Sequence, residues 1–432
     1  MDLVGLVLVL VLVMTVLMLA AVPIAFTLPA SVLVVVLLMG GVSPMIVVQQ
    51  VQAGIDALLL LAIPFFLLAG DLMTVGGLTD RLLVFTNTLL GRYRGGLAMS
   101  NVAAATFMAG ISGSAVADTS AIGRVLIPAM IREGYHPGFA AALNASANIV
   151  GPIIPPSITF IIIGVITNLS ITRLFIAGVV PGLVYSGAML MIAYWISRRR
   201  NYPVHGRATW EQIWRAFREA FWALLMPIWI IVGIRTGIFN VTECSAVAVV
   251  YALLVGGLVY HEITLTAFIQ SLLRTARTTA VIMLVIGGAQ AVSWFLAYNA
   301  LPEALGAWIV SVSNSPWLFL LLVNILLILV GTFLENAPAL VMLLPVLFPA
   351  SQKLGIDPIH FCVVVSINLV LGLITPPVAI SLSLSTLMAG CHPRETLHEV
   401  IPFFAAAIGI LLLLTYVPGL VVWLPNLVMG KG

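Results

Sequence analysis

The stretch GPIIPPS at residues 151–157 returns in altered form as GLITPPV at 372–378. Each lies in a long apolar run where a helix is expected. Paired prolines stop a helix, because proline lacks the N–H and its ring clashes with the preceding turn. Unwinding at such a place frees main-chain carbonyls, which suit a small hard cation such as Na+. It also exposes the N-terminus of the half-helix that follows, whose dipole favours an anionic group. Single proline kinks are common in membrane helices; two matched breaks in one chain ask for more than that.

The match extends beyond the breaks. Sliding the sequence against itself by 221 residues aligns Gly110 with Gly331, Pro128-Ala129 with Pro349-Ala350, Gly134 with Gly355, Pro137 with Pro358, and Gly151, Ile153, Pro155 and Pro156 with Gly372, Ile374, Pro376 and Pro377. With Val125 and Leu126 this gives eleven identities in 47 positions without a gap. Two further apolar segments, 96–131 and 316–350, are interrupted by ISGSAVAD (111–118) and GTFLENAP (331–338), and read as helical hairpins that enter the membrane and leave on the same side. Non-helical backbone at that depth is tolerated where protein or a watery cavity covers it. The first hairpin tip offers Gly110 and the Ser112 hydroxyl. With the carbonyls of Gly151, Ile154 and Pro156 it makes one candidate Na+ site. The repeat places a second at Gly331, Gly372, Thr375 and Val378, where the glycines and the valine supply only main-chain carbonyls.

An anionic ligand would draw on other groups. Ser114 and its repeat partner Glu335, with Asn336, stand at the two tips; Pro155 and Pro376 stand at the breaks. Asn144, Asn148 and Gly151 fall at i, i+4 and i+7, on one helical face leading into the first break. They read either as a cavity wall or as interhelical hydrogen bonds. Asp118, four residues past the first tip, and Glu335 are intramembrane acids and hence functional candidates, or else helix caps. Arg124 is a tempting counter-ion, yet at about 1.5 Å per residue it lies roughly 15 Å from the tip. Snorkelling to the interface is the favoured reading for it. Glu243 reads as a helix cap.

These residues need elements to hold them, and the composition says which. The chain has 432 residues, 62% hydrophobic and 8% charged, whereas ordinary globular domains carry about 25% charged residues. It reads as an all-α polytopic membrane protein. The net charge of +3 says little about partners, and no nucleic-acid partner is expected. Cys244, Cys362 and Cys391 form no CxxC and read as small buried residues. The start, Met1-Asp2 and then apolar to Val22, reads as a retained helix rather than a signal peptide. Ten crossings are expected at 3–22, 26–48, 56–76, 138–168, 171–197, 221–239, 243–260, 276–299, 357–388 and 396–424, with 79–92 and 261–275 along the interface.

Residues 198–218 hold six of the 18 lysines and arginines, which puts this loop in the cytoplasm. With five crossings before it, thirteen cationic residues fall inside and three outside, leaving out Arg124 and Arg235. Residues 1–197 then form a first repeat with hairpin 96–131 and broken helix 138–168. Residues 198–220 form a basic cytoplasmic linker. Residues 221–432 form a second repeat with hairpin 316–350 and broken helix 357–388. Five crossings per repeat is odd, so the repeats are inverted and the hairpins opposed, a layout found in many secondary transporters.

SGSAVADTSAIGRVLIPAM (112–130), EGYHPGFAAAL (133–143) and GPIIPPS resemble the first half of the large membrane subunit of TRAP transporters, the tripartite ATP-independent periplasmic class. LGIDPIHF (354–361) and NLVLGLITPPV (368–378) resemble its second half, and GIFNVTECSAVAVVYALLVG (237–256) its segment around TPTEA, with NVTEC in that place here. The resemblance covers nearly the whole chain. It implies Na+-driven uptake of a small organic anion across a bacterial inner membrane and an elevator-type movement. It also implies two partners, a periplasmic substrate-binding protein and a small four-helix membrane subunit. The residues themselves leave a self-sufficient Na+- or H+-coupled organic-anion carrier open. A membrane-embedded enzyme lacks a motif: the six histidines form no HExxH, and there is no Ser-His-Asp pattern or P-loop. Opposed hairpins favour alternating access over a channel.

The arginine bias is testable. Single cysteines near Arg200 and near Lys431, on a cysteine-free background, should react with impermeant reagents from opposite sides of the membrane. Reaction from one side would overturn the inverted-repeat count.

Overall fold

A computed structural model describes residues 3–204, 206–300, 315–376 and 378–430. Among the described residues there are nineteen α-helices and no strand. The first group is α1 (Leu3–Leu19), α2 (Ile24–Met39), α3 (Met45–Ile55), α4 (Ala62–Val75) and α5 (Leu78–Leu90). The first hairpin is α6 (Gly96–Ser112) and α7 (Ala115–Arg132), and the first broken helix is α8 (Pro137–Ala147) and α9 (Ile158–Thr167). Then come α10 (Ile171–Arg199), α11 (Trp210–Arg235), α12 (Val241–Leu253) and α13 (Leu265–Tyr298). The second hairpin is α14 (Pro316–Gly331) and α15 (Asn336–Lys353), and the second broken helix is α16 (Pro358–Leu371) and α17 (Ile380–Ala389). The described chain closes with α18 (Pro393–Tyr416) and α19 (Gly419–Met429).

Local chemistry explains the boundaries. Ser114, Ser157, Ser170 and Thr264 each accept a backbone N–H in the first turn of the helix they precede, supplying a partner that the helix itself lacks there. Asn240 and Glu243 form a reciprocal capping box at 2.8 and 2.9 Å, the capping role expected of Glu243. Gly40, Gly113 and Gly390 end helices in the left-handed conformation that glycine adopts at least cost.

Several expected spans differ. The segment 26–48 is not one helix: α2 stops at left-handed Gly40, and Pro44 precedes α3. The segment 56–76 begins with a 3-10 turn over Leu58–Leu61 before α4. No proline or glycine falls between Leu265 and Ile286, and the expected interfacial stretch 261–275 joins the next span as the 34-residue α13. At about 1.5 Å per residue such a helix is roughly 50 Å long, so its arginine-bearing first turns outreach a hydrocarbon core of about 30 Å. Pro418 separates α18 from α19 inside the expected span 396–424. Arg198 and Arg199 end α10, while Arg215 and Arg218 lie in α11, which narrows the non-helical part of the basic linker. Six helical segments of the described residues are long and apolar enough to cross a membrane alone, including α10, α11, α13 and α18; the broken helices reach that length only as pairs.

The packing crosses the two halves of the sequence. The second arm of hairpin one, α7, packs on α17 of the second broken helix, and the second arm of hairpin two, α15, packs on α9 of the first. Asn144 on α8 donates to Ser385 on α17 at 3.0 Å, and Asn336 on α15 donates to Thr159 on α9 at 2.8 Å. A peripheral set, α2 and α3 on α13, α4 on α12 and α13, and α5 on α11, meets this inner set through α4, α5 and α13.

Gly372 shows how tightly the second hairpin is seated. A Cβ there would overlap the Gly331 carbonyl and backbone, whereas one on Gly187 meets nothing within 4 Å. Gly372→Ala should therefore cost about 1–3 kcal/mol by overpacking, read as a lowered thermal midpoint of the purified protein in detergent, with Gly187→Ala unchanged.

Candidate functional site

The first tip docks on the first break. Ser112 closes α6, Gly113 turns the chain at φ +62°, and Ser114 caps α7. The Ser114 N–H donates to the Ser112 hydroxyl at 3.2 Å. A Cβ on Gly113 would lie 2.5 Å from the Pro156 carbonyl oxygen, and one on Gly151 would lie 3.0 Å from the Ala115 nitrogen and 3.1 Å from Asp118 Oδ2. Gly110 faces Pro227 and the Pro155 carbonyl. Glycine at 113 and 151 thus lets backbone approach backbone where the helix has unwound, while glycine at 110 makes room for the Pro227 ring. Gly110, Ser112, Gly151 and Pro156 come together around this junction. The Ile154 side chain packs on Gly182, leaving only its backbone for chemistry. Asp118 is 1% exposed, and neither carboxylate oxygen has a hydrogen-bond partner of good geometry among the described residues, although Ser112 stands nearby.

The second site is built differently. Gly331 and Gly372 pack backbone to backbone. With Thr332, Val378 and Ala379 they line a small cleft. The Thr375 hydroxyl donates to the Leu371 carbonyl at 2.8 Å, which leaves the oxygen lone pairs free to accept or to coordinate. Pro376 and Val378 are exposed; Pro377, the second proline of this break, lies outside the described residues. Glu335 precedes α15 without a side-chain cap bond, so the capping alternative does not describe it.

Between the tips lies a cavity of about 330 Å³, lined by Ser114 from hairpin one and Glu335 and Asn336 from hairpin two. Three expected residues, far apart in sequence, meet there. Pro152 and Thr159 of the first broken helix and Thr278 of α13 complete the polar and kinked lining. Sequence reasoning misses these three. Thr159 follows the break by only three residues, a usable signal; Thr278 sits in a helix with no motif. Among the described residues, Glu335 is the cavity's single charged lining residue.

Other expected residues stand apart from this cavity. Asn148 is fully buried and donates to the Asn144 carbonyl at 2.7 Å, while Asn144 also binds Asn101 and the Thr119 carbonyl. The asparagine face is thus an interhelical hydrogen-bond network. Asn324, Asn368 and Thr415 make a comparable one in the second half. Asp118 lies behind the first tip, and Pro155 and Pro376 are absent from the lining among the described residues. Arg124 is exposed, with Nε donating to the Ser120 carbonyl at 3.2 Å.

Crossed hairpins and unwound helices around a central polar cavity define a membrane transport protein. Residues 11–420 match the family described as the tripartite ATP-independent periplasmic transporter, DctM component. The chain is 38% identical over 417 residues to the sialic acid TRAP transporter large permease protein of Vibrio cholerae, covering 96% of this chain and 97% of that one. It is 36% identical over 425 residues to the C4-dicarboxylate TRAP transporter large permease protein of Rhodobacter capsulatus, covering 95% and 97%. The solved structure of the YdaH transporter of Alcanivorax borkumensis shares the fold at a TM-score of 0.58 and 17% identity, covering 83% of this chain and 85% of that one. This chain therefore belongs to the large-permease, or DctM, family of TRAP transporters: a multi-pass protein of the bacterial inner membrane and a transport component, not an enzyme.

The position of Arg124 separates two roles. A guanidinium that grips a carboxylate in its fork is poorly replaced by an ammonium, but a snorkelling cation is well replaced. Arg124→Lys should keep most uptake and Arg124→Ala should lose part of it; near-complete loss in the lysine variant at normal membrane levels would make Arg124 a substrate ligand.

Proposed function

We propose that this chain is the membrane core of a Na+-coupled system that takes up a small organic anion. The anion binds in the cavity between the hairpin tips, against Ser114, Asn336, Thr159 and Thr278. Na+ binds at Gly110, Ser112, Gly151, Ile154 and Pro156, and again at Gly331, Gly372, Thr375 and Val378. The cargo arrives on a periplasmic binding protein, a small four-helix subunit braces the peripheral helices, and the hairpins and broken helices move together as an elevator past α13.

The observation that carries this reading is the meeting of Ser114, Glu335 and Asn336 in one cavity flanked by two unwound, glycine-lined segments. An acid as the only charged lining residue among those described is a poor host for a bare anion. Cations bound in the adjoining breaks would offset it, which gives coupling an electrostatic reason. The relatives carry sialic acid and C4-dicarboxylates by name, both organic anions.

Uptake into proteoliposomes holding the complete complex, with a C4-dicarboxylate and a sialic acid as first cargoes, tests this. Uptake should need a Na+ gradient and the binding protein; uptake by this chain alone would favour the self-sufficient carrier. Ser112→Ala and Thr375→Ala should each raise the Na+ concentration for half-maximal uptake, since a lost oxygen partner in a desolvated site costs about 1–3 kcal/mol. Unchanged Na+ dependence in both variants, with uptake intact, would leave the breaks as kinks.

A further inference from the structure

The inner cavity has a neighbour. A second chamber of about 320 Å³ lies along the same three helices, α9, α13 and α15, with α3 closing it. On α13 the inner cavity touches Thr278, Val281, Ile282 and Val285. The second chamber touches Ile286, Ala289, Gln290 and Ser293, which continue the same helical stripe. From Thr278 to Ser293 is roughly 22 Å at about 1.5 Å per residue.

The two chambers meet at an apolar collar. Ile162 on α9, Val285 on α13 and Pro338 on α15 line the inner one; Val165, Ile286 and Val341, at most one turn further along the same helices, line the second. Val285, Ile286 and Val341 are buried, so the collar is closed here. In the opposite direction the stripe runs into Arg274, one turn before Thr278. Its guanidinium is held by Asp71 at 2.8 and 3.3 Å and by the Ser271 hydroxyl at 3.0 Å. The groove continues past the inner cavity toward the Tyr298 end of α13, where the arginine bias places the outside.

Three polar side chains, Asn168, Gln290 and Ser293, face this second chamber, and none makes a side-chain hydrogen bond to another described residue. Asn168 and Gln290 are exposed and Ser293 is half-buried, so the chamber is open, and amides and a hydroxyl around it in a membrane protein suit water or a polar ligand, not acyl chains. Asn168 also ends α9 in the left-handed conformation. We propose that this outer chamber is a second binding station for the transported organic acid. Asn168, Gln290 and Ser293 hold its hydroxyl, amide or carboxylate groups before it passes the collar to the hairpin tips. The station rests on the reading that the inner cavity takes an organic anion.

The test uses 2-sulfonatoethyl methanethiosulfonate, an impermeant thiol reagent that is itself a small organic anion, on the complete complex with Cys244, Cys362 and Cys391 replaced. Gln290→Cys and Ser293→Cys should react at least about tenfold faster than Ala280→Cys, which is exposed but off the stripe, because an ion reaches a wet chamber and not lipid. Gln290→Leu should raise KM for the acid taken up, C4-dicarboxylate or sialic acid, about tenfold with kcat within about twofold, the pattern of lost ground-state binding. Equal reaction at 280, 290 and 293, or an unchanged KM, would overturn the station. Failure of the underlying reading looks different: the unsubstituted complex takes up neither acid while the labelling pattern persists, and the station for an organic acid then falls with it.

Discussion

Unwound backbone inside a membrane has no water to satisfy it, and the whole arrangement follows from that constraint. A bare carbonyl or N–H in hydrocarbon costs several kcal/mol, so each break must be covered by protein or by a ligand. Here each hairpin tip provides the cover. Gly113 lies against the Pro156 carbonyl, and Gly372 lies against Gly331, contacts that a side chain at Gly113 or Gly372 would spoil. The Ser157 hydroxyl takes up the Pro152 carbonyl within the first break, and the Thr375 hydroxyl takes up the Leu371 carbonyl before the second.

Each tip covers the break of its own half, but the second arms of the hairpins pack crosswise, and this makes the inner helices one body. Helix α7 leans on α17 and α15 on α9, so neither hairpin is held only by its own half of the sequence. Buried asparagines pin the crossings, Asn144 reaching Ser385 and Asn336 reaching Thr159, while Asn368 reaches Asn324 within the second half. In a membrane, apolar side chains gain little by leaving lipid for protein, so small residues and polar pairs must supply the specificity of packing. The alanine- and glycine-rich inner helices and these amides meet that need.

The peripheral helices are sewn together by other means. Arg274 and Asp71 tie α13 to α4, and Arg81 pairs with Glu262 at 2.8 Å while lying over the Tyr260 ring. At the far end of α10, Arg200 pairs with Glu399 at 2.9 Å and stacks on Phe139. These ion pairs sit where the arginine bias puts the cytoplasmic side, in the wet part of the molecule. There a charge can be shared between helices without being stranded in hydrocarbon. Arg124 on the outer face of α7 has no such partner among the described residues and leans back on its own helix.

Composition, the 221-residue repeat and the proline pairs determined a great deal unaided: an all-α membrane protein, two hairpins, two broken helices and the tips that carry Ser114, Glu335 and Asn336. These are local properties, since proline, glycine and apolar length act on their own stretch of chain. Helix continuity was less legible. The fusion of 261–275 into α13, and the splitting of 26–48 and 396–424, depend on where one glycine or proline falls within apolar sequence, and hydropathy averages over that. The tertiary structure alone decided that the two tips share a cavity, that Asn148 turns inward to Asn144, and that Thr278 of a motif-free helix forms the opposite wall. Those outcomes depend on which helices cross and at what register. Roughly two hundred residues of chain separate the two tips, the offset of the repeat itself, and no local pattern records the meeting.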